Sequence, residues 1–115
     1  NVLSLAYAPD GKSMALGLMT GGIALWDTGT NRLIHTLQGH IRPVTGVAYS
    51  KDGTLLASVS RDGRIVLWDV AQRSTLRILE GHSDAVTDLA FSPDGTLFVT
   101  ASVDGTVILW AVTSP

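Results

Sequence analysis

Three residues near the middle of the chain, Ser58, His40 and Asp62, have the types needed for nucleophilic catalysis. A serine hydroxyl attacks when an imidazole takes its proton, and a carboxylate that holds the imidazole in one tautomer completes the set. Two features of the sequence weigh against a hydrolase. The same set recurs 42 residues later as Thr100, His82 and Asp104, with the nucleophile changed from serine to threonine. Ser58 also stands in Leu-Ala-Ser-Val-Ser, without the glycines of a nucleophile elbow. A hydrolase built on these residues is therefore the weakest functional reading.

The recurrence extends along the whole chain. Trp26, Trp68 and Trp110 are 42 residues apart, as are Asp10, Asp52 and Asp94, each followed by glycine. The same interval relates Gly39-His40 to Gly81-His82, and Gly21 to Gly63 and Gly105. Residues 39–73 laid on 81–115 without a gap are identical at 16 of 35 positions. A fixed period of this size marks a repeat architecture. Within one period the local signals are those of β-strands. Val44–Ser50 is apolar and ends at Asp52-Gly53, and Leu55–Ser60 ends at Asp62-Gly63. Ile65–Asp69 follows, apolar on both faces, and Thr75–Leu79 is a weaker fourth strand. No stretch has sustained helical periodicity. The expected fold is all-β, each unit a four-stranded antiparallel meander. A sheet apolar on both faces needs cover on both, which like sheets supply by stacking face to face.

The Gly-His, the two Asp-Gly turns and the Trp-Asp at fixed offsets resemble the WD40 repeat, and the resemblance covers the whole chain. It implies β-propeller blades, here in three units at 1–38, 39–80 and 81–115, the last without its outer strand, so that eleven strands are expected. It also implies one side-chain network per complete unit. The histidine bonds the tight-turn aspartate and a strand hydroxyl, and the hydroxyl accepts from the tryptophan. One network is His40, Ser58, Asp62 and Trp68; the other is His82, Thr100, Asp104 and Trp110. The chemistry is sound in its own right: a buried indole N–H has only a donor to offer, and hydroxyl and imidazole can each pass a hydrogen bond along to the aspartate. Such a tryptophan would occupy the hydroxyl that a nucleophile needs. Ser58→Ala should therefore cost stability, on the order of 1–3 kcal/mol through unpaired buried groups, and an unchanged melting temperature would contradict the network. The first unit departs from the pattern, with no Gly-His before it, Leu16 in the hydroxyl position and Thr20 in the aspartate position. Terminal repeats are often atypical in this way.

Other residues suggest no further chemistry. His35 falls on an outer strand with Arg77 as its counterpart, which argues against a metal ligand. Asp10, Asp52 and Asp94 sit in turns, where Asp-Gly is favoured by backbone geometry, and are a unit apart, too far to share calcium. Gly21-Gly22 is a hairpin tip rather than a phosphate loop. No metal and no cofactor is expected. The formal charge of −2 leaves no electrostatic footprint for nucleic acid or an anionic membrane. No apolar run approaches the roughly 20 residues of a membrane span, and no signal-peptide pattern opens the chain. The absence of cysteine suits a reducing, cytoplasmic setting. The missing initiator methionine suits a fragment or a processed product.

Propellers close with about four to eight blades. Fewer than three would form an open wedge with apolar faces at both ends. Cyclic head-to-tail assembly would bury both faces, two chains giving six blades and three giving nine; otherwise the chain is part of a longer propeller. The favoured function is a non-catalytic scaffold for protein–protein interaction. The alternative is a structural, engineered or fragmentary module whose main property is assembly into a closed ring. The rim that carries the Gly-His loops and the second Asp-Gly turns would display Ile41, Arg42, Arg61, Ser83, Asp84 and Val103. Arg42, Arg61, Asp84 and Val103 are the candidates for contact with a protein or peptide partner, because Arg42 is replaced by Asp84, and Arg61 by Val103, in the next unit.

Overall fold

The computed structural model describes residues 1–112; the last three residues of the third unit lie outside them. The described residues form eleven strands and no helix. The first four strands, β1 (Val2–Tyr7), β2 (Ser13–Leu18), β3 (Gly22–Asp27) and β4 (Arg32–Gln38), pair antiparallel in chain order. So do β5 (Val44–Tyr49), β6 (Leu55–Ser60), β7 (Arg64–Asp69) and β8 (Ser74–Glu80). The third sheet contains β9 (Val86–Phe91), β10 (Leu97–Ser102) and β11 (Val107–Ala111). The all-β expectation holds.

Alternation on β7 shows why the sheets stack. Val66 and Trp68 point to the first sheet, packing with Ala15, Ile23, Leu25 and Leu37. Ile65 and Leu67 point the other way, into a second cluster with Val86 and Phe98 of the third sheet. Strand periodicity of two thus gives the middle sheet two cores, one on each face. The strands β1, β5 and β9 lie against one another, so the sheets fan out from that edge. The result is an open, partial propeller, with both faces covered only in the middle sheet.

Local chemistry sets the hairpins. In the turn between β6 and β7, Gly63 N donates to Ser60 O, with Gly63 at φ 83°. The equivalent glycines, Gly21 and Gly105, have φ 96° and 86°, in the left-handed region that residues with a Cβ avoid. The aspartate of the Trp-Asp pair has its own task. Asp27 Oδ1 accepts from the N–H groups of Gly29 and Thr30, and Asp69 Oδ1 from that of Gln72, fastening the turns into the outer strands β4 and β8. On the same rim as these turns Asp52 Oδ1 accepts from the Ser50 and Thr54 hydroxyls and the Thr54 N–H, and Asp94 repeats this with Ser92 and Thr96. These contacts add side-chain cages to the backbone geometry that the Asp-Gly pairs already favour. The Thr96 N–H, the first of these donors, does most to hold the Asp94 pKa down at about 2.

Candidate functional site

Two strands, a loop and a turn converge on Ser58. It sits on β6 at 0% exposure, and Trp68 reaches it from β7. The Trp68 Nε1–H donates to Ser58 Oγ at 3.0 Å. His40, from the loop that leads into β5, places Nε2 2.8 Å from the same oxygen and Nδ1 3.1 Å from Asp62 Oδ2. One proton arrangement satisfies every atom. The indole donates to the hydroxyl, the hydroxyl donates to Nε2, and Nδ1–H donates to the carboxylate. No buried side-chain polar atom among the described residues lacks a partner.

The glycine of Gly-His has a packing reason. A Cβ at Gly39 would overlap the Trp68 ring, 2.6 Å from Cη2, and one at Gly81 would lie 3.0 Å from the Trp110 ring. The tryptophan that anchors the hydroxyl thus also requires a residue without a side chain beside the histidine. In the third sheet His82 Nε2 lies 2.7 Å from Thr100 Oγ1, which accepts from Trp110 Nε1 at 2.9 Å. His82 Nδ1 lies 3.3 Å from Asp104 Oδ2 and 3.0 Å from Thr106 Oγ1. Asp104 also accepts from the Thr106 hydroxyl and, at 2.9 Å, from the Ser83 N–H. The Thr106 side chain first, and the Ser83 and Thr106 amides after it, hold the Asp104 carboxyl far below the usual carboxylate range. The structure therefore brings together all eight residues of the two expected networks. In the first sheet Leu16 and Thr20 supply neither the hydroxyl nor the carboxylate.

Sequence reasoning missed Ser60 and Ser102. Ser60 Oγ donates to Arg42 O at 3.1 Å and accepts from Asp62 N; Ser102 does the same with Asp84 O and Asp104 N. Each serine ties the tight turn to the Gly-His loop. The available signal was their recurrence at the 42-residue interval.

This arrangement is unsuited to acyl transfer. The Ser58 oxygen is sealed from solvent and already holds an indole on one side and an imidazole on the other. Burial, the leading cause, lowers the His40 pKa despite the opposing pull of Asp62. Protonation at Nε2 would also turn a hydrogen-bond acceptor into a donor and leave the Ser58 proton without a partner. Stability should therefore fall with acid. The unfolded imidazole takes up a proton near pH 6.5 and the folded one resists it, so the fold weakens below about pH 6.5 by at most about 1.4 kcal/mol per pH unit. Asp94 and Asp104 act in the same direction at lower pH: their contribution is present above the unfolded carboxylate pKa and lost as pH falls through the depressed folded values. Denaturation midpoints at pH 7.5 and 5.5 test the histidine; equal midpoints would contradict a neutral buried His40.

Above the networks lies a rim of loops. Ile41 is 85% exposed and Val103 63%, and Arg42, Arg61, Ser83 and Asp84 are also exposed. Met19, the counterpart of Arg61 and Val103, joins them at 44%. His40 N donates to Gly21 O, joining the first sheet's turn to the loop that enters the second, and within the second and third sheets Arg61 N donates to Pro43 O and Val103 N to Ala85 O. Among the described residues no group of three or more histidines or carboxylates could hold a metal ion, and no helix is long and apolar enough to cross a membrane.

A family model, described as WD domain, G-beta repeat, matches residues 31–69 and 73–111. The chain belongs to the WD40 family. Its WD40 matches are out of phase with the sheets: the first takes β4 from one sheet and β5–β7 from the next, and the second joins β8 to β9–β11 in the same way. Each WD40 repeat thus links two neighbouring sheets covalently. The chain is 46% identical over 43 residues to WD repeat-containing protein VIP3 of Arabidopsis thaliana, covering 37% of this chain and 13% of that protein. It is 45% identical over 38 residues to Cell division cycle 20.1, cofactor of APC complex, of the same organism, covering 33% of this chain and 8% of that protein. The matches therefore span a small part of those relatives. WD40 repeats are modules of protein–protein interaction, and the family is generally non-catalytic.

Proposed function

We propose that this chain is a non-catalytic scaffold that docks a protein or peptide partner on the rim above the two histidine networks. One observation carries the reading: the loops of that rim are tied down by hydrogen bonds to the His40 ring, to Arg42 O and from the Ser83 N–H, while the side chains they present are exposed and differ from sheet to sheet. A rigid frame with variable tips suits recognition, because little order is lost on binding. Among the described residues neither Arg42 nor Arg61 makes an ion pair, so both guanidinium groups remain available to a partner. Ile41 and Val103 supply apolar contact beside them. Their chemistry favours a partner segment that carries a carboxylate next to an apolar side chain.

A displayed peptide library, screened against the protein and two variants, tests the reading. Arg42→Glu with Arg61→Glu should weaken the selected peptides by about tenfold or more at unchanged melting temperature. Lys51→Glu, on the opposite rim, should leave them unaffected. The reverse pattern would place the docking surface elsewhere.

A further inference from the structure

Where the first and second sheets meet, on the rim that carries the Asp10 and Asp52 turns, lies a cleft of about 410 Å³. Pro9, Asp10 and Ser13 line it from the first sheet, and Tyr49, Asp52 and Val70 from the second. The two turns approach at its edge, where a Cβ on Gly53 would lie 3.4 Å from Pro9 Cδ. The same cleft recurs between the second and third sheets, at about 500 Å³, with Lys51, Asp52 and Leu55 on one side and Asp94 and Val112 on the other. Its wall thus supplies one cation, Lys51, beside two carboxylates. The first cleft also has two carboxylates, those of Asp10 and Asp52, but proline stands in the position of the lysine. We propose that the first cleft takes its cation from a protein partner, and that the group it receives is the ammonium of a lysine side chain.

Two features beyond the charge support this occupant. Asp10 lacks the cage of its counterparts. Asp52 and Asp94 each accept three hydrogen bonds, from a serine hydroxyl and from the amide and hydroxyl of a threonine. Ala8 and Lys12 stand in the positions of that serine and threonine, and among the described residues Asp10 accepts one bond, from the Lys12 N–H. Its other lone pairs suit a charged donor. The second feature is Tyr49, half-buried, where the repeat next has Phe91. Burial above all raises its pKa, against a hydrogen bond with Ser13 and in concert with the Asp10 carboxylate, so the phenol is neutral beside that carboxylate. An aromatic ring next to carboxylates adds to the attraction for an ammonium, and Pro9 and Val70 offer apolar surface to a four-carbon stem. The repeat itself uses lysine rather than arginine in the equivalent wall. Lys12 gives its amide to Asp10 but does not line the cleft. The cleft opens on the rim opposite to the histidine networks, so the inference stands apart from the docking proposed there.

Titration of the isotope-labelled protein with Nα-acetyl-lysine amide, followed by nuclear magnetic resonance, tests it. The amide signals of Asp10, Gly53 and Val70 should shift with a dissociation constant on the order of millimolar, and added salt should weaken the binding. The same compound acetylated on Nε should leave those signals in place. Asp10→Asn keeps an acceptor for the Lys12 N–H and should weaken binding about fivefold. Pro9→Lys gives the first cleft the residue that Lys51 is in the second. Pro9 is exposed in its turn, so this variant should melt near the original temperature and lose the shifts. No shift with the unmodified compound would overturn the inference, as would shifts that Nε-acetylation leaves intact or that survive both substitutions. Tighter binding of the arginine analogue would overturn lysine as the occupant.

Discussion

Gly21→Ala should lower stability by on the order of 3–4 kcal/mol, while Gly105→Ala, at the same place in the repeat, should cost only about 1–2 kcal/mol. Both glycines close the same hairpin turn with nearly the same backbone, φ 96° and 86°. The strain of a left-handed alanine is therefore common to both, and what differs is the surroundings. A methyl group at Gly21 would overlap the His40 carbonyl oxygen and lie 2.8 Å from its carbon and 3.2 Å from Arg42 O. Those are backbone atoms, so relief requires moving the loop that holds His40 between Ser58 and Asp62. At Gly105 nothing lies within 4 Å. Gly63 falls between them, with Asp84 O and His82 O each at 3.3 Å, and its alanine variant should fall between them in cost. Chemical denaturation of the three variants reads the gradient directly. Equal losses would show that the turn conformation alone sets the cost and that the loop yields freely.

The gradient also marks the limit of what the repeat reveals. Gly21, Gly63 and Gly105 are equivalent by spacing, and the spacing says that a turn stands at each. It does not say that a neighbouring loop closes over two of them. The same division runs through the networks. Trp68, Ser58, His40 and Asp62 were legible because the resemblance to the WD40 repeat implies the network and the chemistry of an indole donor agrees with it. Ser60 and Ser102 were not, since a serine on a strand is as readily a solvated residue as a tie to a loop. Thr106 bonds the Nδ1 side of His82, but its counterpart Arg64 pairs with Glu80 instead, so no recurrence signalled it. Gly39 looked like half of a motif, and only the stacked Trp68 ring shows what the missing side chain makes room for. Recurrence in sequence exposes what each unit needs internally. What a given side chain touches, inside its unit as at Gly39 and Trp68 or across units as at Gly21 and His40, emerges only in the folded sheets.

Phe98→Ala should destabilise the protein by about 3–5 kcal/mol, and Phe98→Leu by less than about 1.5 kcal/mol. Phe98 is 1% exposed and heads the fully buried side chains by volume. Its ring lies 5.4 Å from that of Phe91, tilted by 46°, and 6.1 Å from that of Trp110 at 17°. It belongs to the core in which β10 packs against Ile65 and Leu67 of the middle sheet. Truncation to alanine would open a cavity where the third sheet joins the second, and Trp110, whose indole orients Thr100 for His82, would lose its stacking partner. Leucine should be tolerated because the repeat already uses it: Leu56 occupies the equivalent site in the preceding junction and is fully buried there. The site therefore demands apolar volume more than an aromatic ring. Denaturant titration of the two variants, with Trp110 emission as a local reporter, would separate the contributions. A large loss with leucine would mean that the aromatic contacts themselves hold the third sheet in place, and a small loss with alanine would mean that the sheet can close over the cavity.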